Sequence, residues 1–228
     1  MRVVAFVGVV AACIHAGAWA LSQNTAFAPD FTGQIASLSY TPFDGSAHPD
    51  SGMQSSAAQI RADLEAIAPY TRMVRTYSST GGSERVPEIA REFGLKVSVG
   101  AWIDKDAKRN ERELRAVIDL ARKHRNIDSV VVGNETIYRG DQTVDELIRK
   151  IYRVKRETSV PVTTGEIWHA WIDNPKLASA VDYIAAHVLP YWEGISETAA
   201  VDQAIRIYNQ LRQAYPGKRI VIAEFGWP

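Results

Sequence analysis

Between residue 35 and the last residue, short apolar runs alternate with longer stretches in which apolar and polar positions recur at helical spacing. The short runs are rich in valine and isoleucine and are almost continuously apolar, which is typical of parallel strands covered on both faces. The pattern therefore predicts seven parallel strands. They are residues 35–43, 71–78, 96–103, 128–135, 160–167, 181–192 and 219–228.

The longer stretches predict helices with recognisable ends. Ile60, Leu64 and Ile67 recur on one helical face, and Thr143 with Glu146 has the spacing of a capping box. Strands that alternate with helices in this way form a βα repeat with right-handed crossovers. The predicted helices lie within residues 55–68, 86–94, 110–124, 143–158 and 199–217.

Two architectures fit this repeat, an open doubly wound sheet and a closed (β/α)8 TIM barrel. A nucleotide-binding open sheet usually carries a glycine-rich turn after its first strand, and the sequence has no such turn. Polar residues instead stand at the C-terminal ends of several predicted strands, where barrel enzymes place their functional residues. We therefore predict an α/β fold of the (β/α)8 TIM barrel type. Because the seventh predicted strand ends at Pro228, we expect a barrel truncated after strand 7, in a native chain that continues further.

The first residues have a different character. Arg2 precedes an apolar run over residues 3–21, and two small-x-small sites follow. This layout is typical of a secretory leader, and about 20 apolar residues also suffice to span a bilayer. We predict that residues 1–28 are a signal peptide or an N-terminal membrane anchor and that residues 29–228 are the barrel domain, incomplete at its C-terminus. The barrel domain is then extracytoplasmic, whether periplasmic, secreted or anchored.

Charge and cysteine content exclude some classes of function. Lys+Arg and Asp+Glu both number 26, so the chain lacks the basic surface that nucleic-acid binding requires. The single cysteine, Cys13, lies in the leader. The barrel domain is therefore expected to have no disulfide, no thiol nucleophile and no cysteine-bound metal.

Glu135 and Glu224 stand at the ends of the fourth and seventh predicted strands. In a barrel the C-terminal strand ends converge on one mouth, so we expect the two carboxylates to face each other. Two convergent carboxylates can cleave a glycosidic bond, because one protonates the leaving oxygen while the other attacks or activates water. The alternative is that each glutamate is a solvated loop residue or a charge near a helix N-terminus.

Tryptophan residues at or just beyond strand ends support a sugar ligand. Pyranose rings present apolar C–H faces that can stack on an indole ring, while the indole N–H stays available for a hydrogen bond. Packing of the barrel rim is the alternative for each ring, since tryptophan is often largely buried. The five residues are Trp102, Trp168, Trp171, Trp192 and Trp227.

The motifs "VVVGNE" and "VIAEFGWP", together with "SLSYTPF", "RMVRTYS" and "LPYWEG", resemble those of glycoside hydrolase family 17. The resemblance runs from about residue 35 to the end of the chain. It implies a retaining (β/α)8 enzyme acting on β-1,3-glucan, with Glu135 as the acid/base and Glu224 as the nucleophile. Within the family, the chain is most similar to the bacterial branch whose barrel is often joined to a membrane glycosyltransferase in β-glucan synthesis. Such a partner and β-1,6-branched glucan are therefore also implied.

The resemblance gives roles to further residues. We expect Glu224 to be ionised and its charge to keep Glu135 protonated. Asn134 is placed to bind the sugar 2-hydroxyl, and Arg75 to hold Glu224, with a simple salt bridge as the alternative. Glu166, a third strand-end carboxylate, is expected to bind substrate or act electrostatically. The other candidate substrate-binding residues are Tyr40, Tyr77, Trp102, Trp168, Tyr191, Trp192 and Trp227, with rim packing as the alternative for each.

Several alternatives stay open at this point. His169 and His187 could ligate a metal, but no His-x-His or HExxH spacing is present, so hydrogen-bonded histidines are favoured and no metal or cofactor is predicted. Hydrolysis and transglycosylation use the same residues. A non-catalytic glucan-binding or accessory domain of a β-glucan synthase is the alternative class. A Schiff-base aldolase is disfavoured, because Lys96 begins its strand and Lys105 lies in a loop.

Overall fold

A computed structural model describes residues 2–22, 32–43 and 54–226 of the 228-residue chain. The chain divides into two compact units, residues 1–33 and residues 34–228. Each unit is described by itself.

The first unit contains helix α1, Arg2–Ser22. Its segment Val4–Ser22 has a mean hydropathy of 2.0, with none of it buried. By length and composition alone this helix could cross a membrane, and a signal sequence near an N-terminus has the same properties. A leader or anchor over residues 1–28 therefore stays a prediction. The second small-x-small site, at residues 26–28, lies outside the described residues.

The second unit contains a sheet of seven parallel strands in sequential order. The sheet curls back on itself, since the guanidinium of Arg75 donates to the carbonyl oxygen of Ala223, which lies on the last strand, at 3.3 Å. Seven parallel strands in a nearly closed barrel confirm the predicted fold class. Strands β1 to β7 are Leu38–Ser39, Met73–Arg75, Lys96–Ala101, Ile127–Asn134, Val162–Ile167, Ile184–Val188 and Ile220–Phe225.

Helices follow the strands, as the pattern predicts. The five predicted helices are all present, and the capping box at Thr143 and Glu146 forms, with the Thr143 N–H donating to the Glu146 carboxylate at 2.8 Å. Two short helices, Trp168–Asp173 and Pro175–Ala180, form in a segment where the pattern predicts none. Helices α2 to α8 are Ala57–Ile67, Val86–Glu92, Ala107–Lys123, Val144–Glu157, Trp168–Asp173, Pro175–Ala180 and Glu197–Ala214.

Most strands are shorter than the apolar runs that predict them, and β1, β2 and β6 differ most, with β2 limited to three residues. Strand β1 has two residues, preceded by a single bridge between Ile35 and Thr71. Strand β6 ends at Val188, and Pro190 opens a short 3-10 helix, Pro190–Glu193. Proline lacks the N–H that a ladder needs and suits the first turn of a helix. An apolar run therefore overstates strand length wherever proline follows.

The core lies between the sheet and the helices. Val97 and Val130 on the sheet are fully buried, as are Val117 on α4 and Leu147 and Ile151 on α5. Their burial is what fixes each helix on its neighbouring strands. Because all strands run parallel, their C-terminal ends lie at the same edge of the barrel. The residue pairs that the register brings together there are Asn134 with Gly165, Glu166 with Ala186, and His187 with Glu224.

Candidate active site

The two glutamates that the sequence singles out meet at this edge. Glu135 follows β4 directly and Glu224 lies near the end of β7. One oxygen of each carboxylate and one ring nitrogen of His187 lie within 4.8 Å of one another. Both carboxylates are 21% exposed. Carboxyl groups about 5–5.5 Å apart are typical of retaining glycosidases, whereas inverting enzymes leave about 6.5–9.5 Å for a water molecule.

Two donors converge on the Glu224 carboxylate. The Arg75 guanidinium donates to Oε1 at 3.0 Å, and the Tyr77 hydroxyl donates to the same oxygen at 2.9 Å. Arg75 also lies over the Tyr77 ring, 4.7 Å from its centroid, and donates to Asn134 Oδ1 at 2.7 Å. Arg75 is only 5% exposed. A nearly buried guanidinium with these contacts fixes the position of the Glu224 carboxylate through a charge-assisted hydrogen bond.

His187 lies between the two carboxylates. Its Nδ1 is 2.8 Å from Glu135 Oε1, and its Nε2 is 3.4 Å from Glu224 Oε1 and 3.4 Å from both terminal nitrogens of Arg75. A guanidinium can only donate, so we assign the proton to Nδ1 and the acceptor role to Nε2. His187 therefore donates to Glu135. The interpretation of this histidine as hydrogen-bonded agrees with the contacts of both ring nitrogens.

This hydrogen bond changes the expected protonation of Glu135. The His187 donor lowers the pKa of the Glu135 carboxyl below its ordinary value, and burial acts in the opposite direction without prevailing. The expectation that the charge of Glu224 keeps Glu135 protonated is therefore wrong for the ligand-free chain. A sugar that covers this carboxylate would increase the contribution of burial, which raises the pKa.

Strand β5 passes close behind this cluster. A Cβ atom on Gly165 would lie 2.6 Å from Arg75 Nη2, 2.8 Å from His187 Nε2 and 3.3 Å from Asn134 Oδ1. Only glycine allows these side chains to approach the strand so closely. The next residue, Glu166, is fully buried.

The two oxygens of Glu166 accept hydrogen bonds from the backbone N–H groups of Ile137 and Tyr138, at 2.7 and 3.4 Å. Burial raises the pKa of Glu166 to about 7, while these two N–H groups lower it. The structure therefore contradicts a direct contact between Glu166 and substrate and leaves the electrostatic role.

Aromatic residues surround the mouth, but not all that the sequence suggested. Trp192 is 75% exposed and Tyr191 46% exposed, and their rings form an edge-to-face pair. Trp168 is partly buried and donates its indole N–H to Glu193 at 2.6 Å. Trp102 lies under the guanidinium of Arg139, 4.5 Å from the ring centroid. These rings can offer faces to a sugar.

The structure does not place three other predicted aromatic residues at the mouth of the barrel. Trp171 is fully buried and donates its indole N–H to the carbonyl oxygen of Ala185, so it is a core residue. Tyr40 packs against the core and donates to Asp63 on α2, and burial raises the pKa of its hydroxyl. The structure does not bring Tyr40 to the carboxylate cluster. Trp227 lies outside the described residues.

Glu135, His187 and Glu224 also have the donor atoms of a metal site. In the described part of the chain, however, the guanidinium of Arg75 is already 3.0 Å from the Glu224 oxygen that would bind the ion. A second positive charge there would be repelled. The arrangement therefore fits proton transfer and nucleophilic attack better than metal binding.

Comparison with known proteins decides the family. A family model for the BtgE/BtgC glycoside hydrolase domain matches residues 37–228, which is most of the chain. The chain belongs to this family. The resemblance to a glycoside hydrolase family is thereby confirmed.

Two curated relatives of this glycoside hydrolase domain are fungal proteins. It is 28% identical over 194 residues to a glucan 1,3-beta-glucosidase of Schizosaccharomyces pombe, covering 73% of this chain and 58% of the relative. It is 27% identical over 212 residues to the glucan endo-1,3-beta-glucosidase btgC of Emericella nidulans, covering 84% of this chain and 32% of the relative. The chain thus spans little more than half of the first relative and about a third of the second.

Solved structures agree on the fold of this glycoside hydrolase domain. A glycoside hydrolase family 17 beta-1,3-glucanosyltransferase from Rhizomucor miehei superposes with a TM-score of 0.74 at 24% identity, over 85% of this chain and 72% of the other. An active-site mutant of the Rhizomucor miehei enzyme in complex with laminaritriose gives 0.71 at 23% identity, over 82% and 69%. Both likenesses show the same barrel.

Sequence reasoning missed three residues that shape the site of this glycoside hydrolase domain. Gly165 interrupts an apolar strand, which often signals close backbone approach. Arg139 donates to the carbonyl oxygen of Ile103 at 2.8 Å and joins two loops. Glu113 is 2% exposed and accepts from several groups. Its signal was a charged residue on the apolar face of α4. The donors to Glu113 are the Ser78 hydroxyl at 2.6 Å, the Ser79 N–H at 2.9 Å, the Trp102 N–H at 3.2 Å and the Thr80 hydroxyl.

Proposed function

We propose that this chain is a retaining glycoside hydrolase or glucanosyltransferase that acts on β-1,3-linked glucan through a covalent glycosyl-enzyme intermediate. The observation that carries the proposal is the spacing of Glu135 and Glu224, whose oxygens lie within 4.8 Å together with His187. The names of the relatives, which are glucan 1,3-beta-glucosidases and a beta-1,3-glucanosyltransferase, support the substrate class.

In the first step Glu224 attacks the anomeric carbon while Glu135 gives its proton to the glycosidic oxygen that leaves. Arg75 and Tyr77 fix the Glu224 oxygen from two directions. Asn134 accepts from Arg75 through Oδ1, so its amide nitrogen is the group that can donate to the sugar 2-hydroxyl. That contact strengthens in the transition state.

In the second step Glu135, now a carboxylate, takes a proton from water or from a sugar hydroxyl, which attacks the anomeric carbon and releases Glu224. The hydrogen bond from His187 suits this step, because it lowers the pKa of Glu135 and so stabilises the carboxylate form. Water gives hydrolysis, and a sugar hydroxyl gives a transferred glucan.

The exposed aromatic rings support binding of a sugar chain rather than a small polar substrate. Tyr191 and Trp192 lie in the 3-10 helix that follows β6, and Trp168 begins helix α6 directly after β5, so all three lie at the C-terminal edge of the barrel. Ring faces of this kind can stack on pyranose C–H groups. A Rhizomucor miehei relative with the same fold binds laminaritriose, a ligand of the chemistry proposed for this chain.

Azide rescue tests the proposal on Glu224→Ala and Glu135→Ala variants with an activated β-glucoside. The Glu224→Ala variant should form an α-glycosyl azide, because azide attacks from the face that the nucleophile has vacated. The Glu135→Ala variant should form a β-glycosyl azide, because azide attacks the glycosyl-enzyme intermediate. Full glycosidase activity in either variant would refute the role assigned to that glutamate. No activity in the unsubstituted protein would favour a non-catalytic glucan-binding or accessory domain.

Product analysis with laminari-oligosaccharides separates the two outcomes of the second step. Products longer than the substrate, or branched products, indicate transfer, and only shorter products indicate hydrolysis. The same assay with increasing oligosaccharide concentration tests competition between water and acceptor. β-1,6 branches in the product would support the implied role in β-glucan synthesis.

Residues 1–28 are proposed to direct the barrel domain out of the cytoplasm, as a signal peptide or as a membrane anchor. Support comes from the exposed apolar helix Val4–Ser22. N-terminal sequencing of protein from the soluble and membrane fractions distinguishes a cleaved leader from an anchor. A membrane glycosyltransferase partner stays a prediction from the sequence resemblance alone, which co-purification from membranes can test.

A further inference from the structure

A fully buried carboxylate lies behind the turn that carries Glu135. Glu166 is on β5, and its two oxygens accept from the N–H groups of Ile137 and Tyr138. The same strand accepts the N–H of Glu135 itself, through the carbonyl oxygen of Gly165 at 2.7 Å. Two consecutive residues of β5 thus accept three hydrogen bonds from the backbone of residues 135–138.

That segment has a backbone conformation that needs support. Glu135 has a φ of +52° and is, among the residues that the structure describes, the only non-glycine residue with a positive φ. Left-handed backbone is unfavourable for a residue with a Cβ atom, and it persists only where the surroundings enforce it. The carbonyl oxygen of Glu135 accepts the N–H of Arg139 at 2.8 Å, which closes the turn.

The direction of the Glu135 side chain depends on this turn. If φ returned to a negative value, the Cα–Cβ bond would rotate, and the carboxylate would leave its position 2.8 Å from His187 Nδ1. The proton donor would then no longer face the nucleophile. The turn therefore determines whether the acid/base reaches the glycosidic oxygen.

We propose that Glu166 is a positioning residue, which holds the left-handed turn of Glu135 through the N–H groups of Ile137 and Tyr138 and so aims the acid/base. The proposal rests on the proposed function, because Glu135 is assigned there as the acid/base. Glu166 is fully enclosed and bonded, so it acts through Glu135 and does not touch the substrate.

The electrostatics of Glu166 are consistent with this role. Burial raises its pKa to about 7, and the charge of Glu135 contributes in the same direction, whereas Arg139 lowers it. Burial and the neighbouring charge of Glu135 thus both disfavour the ionised form of Glu166. The hydrogen bonds from the turn and the charge of Arg139 both favour its ionised form, and the hydrogen bonds contribute more.

Leaving-group dependence tests the proposal, because a poor acid/base slows only substrates that need protonation. A dinitrophenyl β-laminaribioside has a leaving group that departs without a proton. The leaving sugar of a laminari-oligosaccharide needs a proton from the acid/base. In Glu166→Ala we expect kcat/KM to fall about 100-fold on the oligosaccharide, since a misplaced catalytic group costs about that much, and less than about 5-fold on the dinitrophenyl substrate.

Two further variants make the result decisive. Glu166→Gln keeps one acceptor oxygen, so its kcat/KM on the oligosaccharide is expected to lie between those of Glu166→Ala and wild type. It replaces Glu166→Ala if circular dichroism shows that the alanine variant does not fold. Glu113→Gln is the matched control, since Glu113 is equally buried and also accepts backbone N–H groups, but from other loops. Glu113→Gln is expected to change kcat/KM by the same factor on both substrates.

The possible failures are distinguishable. Equal loss on both substrates in the Glu166 variants, or no loss on either, overturns the positioning role. If Glu135→Ala itself shows no difference between the two substrates, the proposed function fails. If Glu135→Ala shows the difference and the Glu166 variants do not, only the positioning role fails.

Discussion

Replacing Gly165 by alanine adds one methyl group at the point where β5 passes the carboxylate cluster. The new Cβ atom would lie 2.6 Å from Arg75 Nη2 and 2.8 Å from His187 Nε2, whereas ordinary van der Waals contacts begin at 3.4 Å. The backbone at Gly165 does not have a positive φ, so alanine is allowed there conformationally. The perturbation is therefore steric and local.

The size of the effect follows from these distances. To reach an ordinary contact, Arg75 Nη2 would have to move by about 0.8 Å, and its hydrogen bonds to Asn134 and Glu224 are 2.7 and 3.0 Å long. A misplacement of about 1 Å in a catalytic arrangement costs about 100-fold in rate. Overpacking a buried site costs about 1–3 kcal/mol of stability. We expect Gly165→Ala to lower kcat about 100-fold while the protein still folds.

The assay measures kcat on laminari-oligosaccharides together with the free energy of unfolding from a denaturant titration. Gly226→Ala is the matched control, because it adds the same methyl group two residues after Glu224, where no atom of the residues that the structure describes lies within 4 Å. A kcat within twofold of wild type in Gly165→Ala would refute the steric reasoning. An equal loss in Gly226→Ala would show that the effect is not specific to the contact with Arg75.

Three other substitutions test separate parts of the site. Tyr77→Phe removes a hydrogen bond to the Glu224 carboxylate. Because hydrogen bonds to charged groups contribute about 1.5–3 kcal/mol, kcat should fall about 10- to 100-fold. An unchanged kcat would contradict this expectation. His187→Phe removes the donor that lowers the pKa of Glu135, so that pKa should rise. The alkaline limb of the kcat/KM–pH profile should then move to higher pH. A limb that stays in place or moves to lower pH would show that the His187 donor does not set the pKa of Glu135. Glu113→Ala leaves several buried donors unpaired and should destabilise the fold by more than about 2 kcal/mol in a denaturant titration, an expectation that fails if the unfolding midpoint is unchanged.

The local pattern of apolar and polar residues was enough to predict the barrel and the position of its two glutamates at strand ends. Apolar runs and helical spacing show which faces of strands and helices are buried. Along this chain the pattern of a buried strand occurs seven times. Parallel strands place their C-terminal ends together whatever the detailed packing, so Glu135 and Glu224 could be paired from position alone. Where proline interrupts a run, as at Pro190, the same reasoning gave strands that are too long.

Tertiary structure alone decided how the glutamates are controlled. His187 and Glu135 are 52 residues apart in sequence, and Arg75 and Glu224 are 149 apart, so no local pattern reports these contacts. The sequence also does not show where a side chain points. Glu166 lies near the end of β5 and Trp171 lies just beyond it, as the candidate functional residues do at their strands, yet both side chains are fully buried. The order of residues along the strands is enough to say which of them lie near the mouth of the barrel. The packing of side chains from distant strands decided which of them face it, and hydrogen bonding across those strands set the pKa direction of Glu135, because both depend on distances in space.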